Sequence, residues 1–387
     1  MATATPSTDS RRSWVKDYLV PQLAHIVPLI CVWMLAAGYP SQAWAVRIPL
    51  ILTAAYGLFC WTSRFHETAH QTVPFMSPRF AIMTGKQIGL VLLVPYHCYR
   101  ECHIRHHAYL NRPIDWELWP YSDPKTSIWF RRTFVVLDLL FGFLTAPYVY
   151  SRIYFHRDSP LKPEVRREIA VEYTYMVAIW GALLTFVAYY GYWENFLIAW
   201  VLPHWLAGVL QVGRKLTEHL GMASFDPMKG TRTVVGKSWV TRFCSYLNFD
   251  IFVHGPHHRY PRLTHDKLKG RMNEHIETHP EIRFPMFATY TGAVLNMLPC
   301  LWTRPGVGLN AGAAAMSDVT VDDVGEFLED AKQVVNGNWD SNPVHNSEDQ
   351  TAADEASAPV PYARHAAAED SSSASADAAQ DVSAIHS

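Results

Sequence analysis

The sequence is short of charge. Asp, Glu, Lys and Arg make up 18% of its 387 residues, while 49% are hydrophobic; an ordinary soluble domain carries about a quarter charged residues. Cysteine supplies no framework either. Cys31, Cys60, Cys98, Cys102, Cys244 and Cys300 include no CxxC pair, so a disulfide scaffold is excluded and reduced, buried thiols are expected. No internal repeat is present, and no small-residue cleavage site follows a short apolar core. The first apolar segment therefore reads as a membrane anchor and not as a removed signal.

The shortage of charge is uneven. Residues 316–387 hold fifteen acidic residues against Lys332 and Arg364, a net −13, which leaves +11 for the remainder of a chain whose total is −2. An acidic, Ser- and Ala-rich tail without an apolar period reads as disordered. A basic body suits an anionic bilayer or an acidic protein partner. Nothing in it points to nucleic acid.

Long apolar runs fill the first 215 residues. Residues 18–38 are enough to cross a hydrocarbon layer of roughly 30 Å, with Pro28 expected to kink them. Residues 48–61 form a second run that leads directly into His66. Residues 85–96 are too short to span and read as re-entrant or interfacial. Residues 133–155 are long enough, but Asp138, Pro147 and Arg152 interrupt them, so their crossing is left open. Residues 169–190 and 193–212 form a second hairpin around Gly191 and Tyr192. Residues 286–302, with Pro299, read as interfacial. Arg47 is the one basic residue in the two hairpin turns, whereas every other flank is rich in Lys and Arg. The expected architecture is an all-α polytopic membrane protein: two transmembrane hairpins, about four spans, and a cytosolic helical cap. Both termini then lie in the cytosol.

The nineteen histidines are clustered. His66 and His70 form an HxxxH. His103, His106 and His107 form an HxxHH, and His254, His257 and His258 form another. On a helix, residues three and four apart share a face, so each cluster presents imidazoles in one direction. In the third cluster, Gly255 and Pro256 point to a helix start, with His254 reaching in from the preceding loop. All three lie on the cytosolic side of the expected topology. His219, seven residues after the fourth span, is a ninth member. Eight imidazoles crowded together without a metal would waste their donors and acceptors. His25, His97, His156, His204, His265, His275, His279, His345, His365 and His386 read instead as ordinary core or surface residues.

Zinc normally takes three or four protein ligands, whereas eight or nine imidazoles suffice for two ions with open positions. Imidazole suits iron, copper, zinc and nickel alike; a lipid-facing redox site points to iron and oxygen. Two other readings stand beside this one. The segment His66-Glu67-Thr68-Ala69-His70 also matches HExxH, the zinc metalloprotease motif in which the Glu is general base. That motif leaves both HxxHH clusters without a role. A non-catalytic lipid- or metal-binding membrane protein is the other alternative.

The three boxes in this order resemble those of the membrane fatty acid desaturase superfamily, which also contains lipid hydroxylases and carotenoid ketolases. The resemblance runs from about residue 48 to 268. Arg100 before the second box, Asn111 and Asp115 after it, the run Thr231-Arg232-Thr233-Val234, and Pro261 after the third box belong to the same pattern. The resemblance implies nine ligands: His66, His70, His103, His106, His107, His219, His254, His257 and His258. It also implies two Fe2+ ions, O2 as co-substrate, and a fatty acyl or other lipid chain as the group oxidised. Desaturation is the leading expectation, with hydroxylation or ketolation as the same-fold alternative. Glu67, Arg100, Asp115, Glu218 and Asp250 are expected to support the ligands from behind. Lys215 stands where acyl-CoA desaturases carry a water-holding Asn, which weakens that substrate class. No HPGG haem motif is present, so the electron donor is expected to be a separate ferredoxin or cytochrome b5-like protein. Lys229, Arg232, Lys237 and Arg242 are a basic segment suited to docking it. The expected organisation is a cytosolic segment at 1–17, a membrane catalytic domain at 18–312, a short amphipathic segment at 313–335 and a disordered tail at 336–387.

Overall fold

The computed structural model describes residues 14–39, 41–312 and 315. The expected tail and nearly all of the expected amphipathic segment lie outside them, as do residues 1–13. The described chain is helical, apart from one pair of two-residue strands. Helices α1 (Trp14–Gly38) and α2 (Trp44–His70) form the first hairpin. The short α3 (Pro78–Leu92) starts at Ser77, whose side chain accepts a hydrogen bond from the Phe80 amide, and stops where Leu93 turns left-handed at φ 57°. At 1.5 Å per residue it spans roughly 22 Å, too little to cross. It ends before Pro95, the stop expected from sequence. Helix α4 (Tyr96–Ala108) begins immediately after that proline.

Among the described residues, five helices are long and apolar enough to cross a membrane: α1, α2, α5 (Ile128–Phe155), α6 (Pro163–Tyr190) and α7 (Trp193–His219). Helix α5, whose crossing the sequence left open, differs from the others. Phe141 in its middle is non-helical, at φ −130° and ψ 37°. The indole of Trp119 touches rings on both halves, with centroids 5.8 Å from Phe130 and 6.1 Å from Tyr148, and the Arg152 guanidinium lies 4.1 Å above it. A straight helix would hold positions 130 and 152 roughly 33 Å apart. Helix α5 therefore doubles back and returns to the side it left. Backbone freed at such a bend must find a partner in an apolar medium. The Trp205 indole supplies one, donating to the Leu140 carbonyl at 2.6 Å.

The remaining long helices make two hairpins that stand side by side. Their turns are clasped at one end, where Tyr39 donates to Glu194 and the Asn195 amide donates to the Ala36 carbonyl at 2.9 Å. Arg47 sits there against the rings of Tyr39 and Trp44. The C-termini of α2 and α7 meet at the opposite end.

That end carries a cap: α8 (Pro227–Gly230), β1 (Thr233–Val234), α9 (Trp239–Leu247), α10 (His254–Arg259), α11 (His265–Thr278), β2 (Met286–Phe287) and α12 (Tyr290–Thr303). The strands pair in parallel, Thr233 with Met286 and Val234 with Phe287. Arg232 is not the docking cation expected from sequence. It is buried and donates to the carbonyls of Thr217 and Leu220 and to Asn296, fastening the end of α7 to α12. Helix α9 turns Thr241 and Ser245 inward and leaves Trp239, Val240 and Phe243 exposed, the division of an interfacial helix.

Candidate metal centre

Three helices that end here and one that begins here bring the histidines together. The last two turns of α2 carry His66 and His70, the last turns of α4 carry His103, His106 and His107, and the end of α7 carries His219. Helix α10 begins at His254 itself, so all three members of the third box are helical; the sequence placed His254 in the preceding loop.

The imidazoles sort into groups whose donor atoms lie within 4.8 Å of one another. His66, His70, His103, His107 and His257 form one; His106, His219 and His258 form a second, which His219 joins to His254 and Glu218. Each HxxHH box is thus divided. The i, i+4 pair His103 and His107 serves the first group, while His106 crosses to the second. The third box mirrors this: His254 and His258 serve the second group, and His257 crosses to the first. The single face expected of each box from spacing alone is split between two points.

Carboxylates and a carbonyl fix the rings from behind. Glu67 lies 3.1 Å from Nδ1 of His66, Glu117 lies 3.0 Å from Nδ1 of His103, and Asp115 lies 2.7 Å from Nδ1 of His106. The Ile251 carbonyl is 3.2 Å from Nδ1 of His254. Such a partner accepts a hydrogen bond from Nδ1–H, which keeps the proton there and leaves the Nε2 lone pair facing inward. Yet Nε2 of His254 faces Nε2 of His219 at 2.9 Å and of His258 at 3.1 Å, and Nε2 of His103 faces that of His107 at 3.1 Å. Nε2 of His66, His70 and His257 is buried without a hydrogen-bond partner among the described residues. Lone pairs converging on buried points fit a shared cation. Burial also drives His107, His254, His257 and His258 well below the ordinary imidazole pKa, which keeps them neutral. His106 is the exception: burial opposes its charge, but Asp115 more than offsets that and raises it.

The other expected supports fall differently. Arg100 donates to the Ala69 carbonyl at 3.4 Å and so holds the last turn of α2 rather than an imidazole. Asp250 bonds Ser245, Lys269 and His265, stabilising the cap instead of a box histidine. Glu218 faces Nε2 of His254 at 3.6 Å. Glu117 was missed from sequence; it lies two positions beyond Asp115 in an aperiodic loop. His97 pairs with the buried Glu172 at 2.7 Å, and His25 stacks on Phe249, both as core residues. Lys215 turns to Asp138 of α5 at 2.7 Å.

A cavity of 340 Å³ opens from the histidines. Its head is lined by His66, His103, His106, His219 and His254, and it follows α7 past Val212, Gly208 and Trp200 to Phe196, with Trp180 and Leu184 of α6 on the far wall. That path covers 23 residues of α7, roughly 35 Å. One wall is the returning half of α5. Its Gly142 meets Gly208 so closely that a Cβ on Gly142 would stand 2.6 Å from the Gly208 carbonyl oxygen.

The fold and site define a helical integral membrane protein with a buried, histidine-rich metal centre at the head of an apolar cavity. The sequence profile of the fatty acid desaturase family matches residues 9–290, and the chain belongs to that family. It is accordingly a lipid-modifying oxidoreductase. No curated protein matches the chain.

Proposed function

We propose that the protein is an O2-dependent di-iron desaturase that introduces a double bond into a fatty acyl or related lipid chain. The observation that carries this reading is the position of the two imidazole groups at the head of the long apolar cavity. His66, His70, His103, His107 and His257 would hold one iron; His106, His219, His254 and His258 would hold the other. When bound, the irons with O2, two electrons and two protons supply the removal of one hydrogen from each of two adjacent methylenes, giving an alkene and two waters. The chain's own residues supply position and dryness. Trp180, Trp200 and Phe196 enclose the tail, and the packed α5–α7 wall keeps water from the head.

The metalloprotease reading is disfavoured by Glu67. A general base must face the metal's open position, whereas Glu67 lies against the outer nitrogen of His66 and accepts from Thr72 at 2.5 Å. The basic flanks at the histidine end support a cytosolic metal site.

Electrons must come from outside the centre. His70 and His107 are the two partly exposed members of the nine, and the Arg100 and Arg262 cations both act on His70. An acidic one-electron carrier, such as a ferredoxin or a cytochrome b5-like protein, suits that rim.

Expression of the full chain in a host of defined lipid composition tests the assignment. Lipids that lose two hydrogens per step support desaturation, and lipids that gain one oxygen assign the chain to the hydroxylases. A purified chain without iron, or a His106→Ala variant of full activity, overturns the di-iron reading.

A further inference from the structure

The nine imidazoles divide unequally, five in the first group and four about the second. We propose that the carboxylate of Glu218 is a tenth ligand, which completes the second ion site and brings it to the same number of protein donors as the first. The inference rests on the di-iron reading and deepens it.

Among the described residues, four carboxylates surround the histidines, and three behave alike. Glu67, Asp115 and Glu117 each sit on an outer Nδ1, behind a ring. Glu218 does not. Its Oε2 lies 3.6 Å from Nε2 of His254, on the inner face, where His219 and His258 also point. The donor atoms of Glu218, His219 and His254 lie within 4.8 Å of one another. Both nitrogens of His254 are accounted for by the Ile251 carbonyl behind and the cluster in front, so its Nε2 presents a lone pair to the carboxylate and not a proton.

The remaining contacts of Glu218 leave it available. Its residue is 4% exposed, and Oε1 is buried without a hydrogen-bond partner among the described residues. Arg214, one turn earlier, has Nε 3.9 Å from Oε2, beyond hydrogen-bond length, while its Nη1 donates to Ser63 at 2.9 Å. A buried carboxylate oxygen without a donor is expensive. A cation shared with His219 and His254 would remove that cost. It would also place a hard, anionic oxygen on one ion only, making the two sites chemically unlike: five neutral nitrogens at one, and four nitrogens with one charged oxygen at the other.

The test compares wild type, Glu218→Gln and Glu218→Asp as full-length chains, purified from cells grown on 57Fe. Iron per chain and Mössbauer spectra are the readouts. Wild type is expected to hold two irons with two distinguishable quadrupole doublets. Glu218→Gln should retain the second iron about tenfold less tightly against a chelator, with one doublet altered or lost and the other unchanged. Glu218→Asp should recover part of the retention. Two irons with both doublets unchanged in Glu218→Gln overturns the proposal. Absence of iron from wild type, or two irons in His219→Ala, overturns the underlying di-iron reading instead. Gln has the size of Glu, and a monodisperse elution profile with an intact first doublet verifies that the variant has folded.

Discussion

Asp115, Glu117 and Glu67 each hold one imidazole at its outer nitrogen, and this is where single residues control the centre. Glu117→Gln keeps the volume but weakens the hold on His103. Metal retention or turnover should fall roughly 10- to 100-fold, measured as iron per chain after dialysis, with helix content unchanged. A second residue-scale effect lies in the cap. Burial alone would raise Asp250, but His265, Lys269 and Ser245 outweigh it and hold the carboxyl at about 2. Burial alone would lower His265, but Asp250 outweighs it and raises the imidazole above its ordinary value. The Asp250 contribution is present above its unfolded pKa of about 3.9 and is lost as pH falls towards the folded value. The His265 contribution is present below about 6.5 and is lost as pH rises through its folded value. His265→Gln should therefore lower the thermal midpoint at pH 6 and have a smaller effect at pH 9, read by circular dichroism in detergent. At this scale the sequence was informative wherever spacing carried the message. The i, i+4 pairs of imidazoles were visible, and so was His219. Glu117 was invisible because a loop has no period, and the division of each HxxHH box between two points depends on which neighbour each ring meets.

Among the elements, α5 contributes most to the shape of the cavity. Length and hydropathy cannot distinguish it from a crossing helix, since its residues are as apolar as those of α6. The bend at Phe141 is set by tertiary partners: Trp119 against both halves, Trp205 on the Leu140 carbonyl, and Asp138 bound to Lys215, Tyr121 and Thr145. Sequence reading correctly separated the two hairpins and flagged the interruptions in 133–155, but it had no means to convert them into a reversal. The close approach of Gly142 to Gly208 lets the returning half form the cavity wall. Gly142→Leu should push α5 away from α7 or fill the cavity. Turnover of long-chain substrate should drop at least about tenfold, while iron per chain stays at the wild-type level. Loss of iron together with activity would show that α5 supports the centre and not only the cavity.

For the whole molecule, the net +11 of residues 1–315 is legible in the sequence, but its assignment to residues changes. Arg232 fastens helices, and Arg242 neighbours the exposed apolar face of α9, so neither is the rim about the partly exposed His70. Arg262→Glu should raise the KM for an acidic protein donor about tenfold, steepen or reverse its dependence on salt, and leave kcat at saturating donor nearly unchanged. Equal loss with a small-molecule reductant would argue against docking at this rim. The clasp between the two hairpin turns has a further consequence. The first hairpin and α4 supply five of the nine histidines, and α7 and α10 supply four; each ion group draws on both sides of the 156–162 loop. A chain cut between Arg157 and Asp158 and co-expressed as two pieces should reassemble, with Tyr39 and Glu194 as the latch. Neither fragment alone should retain two irons, so metal content would serve as a count of correctly mated halves.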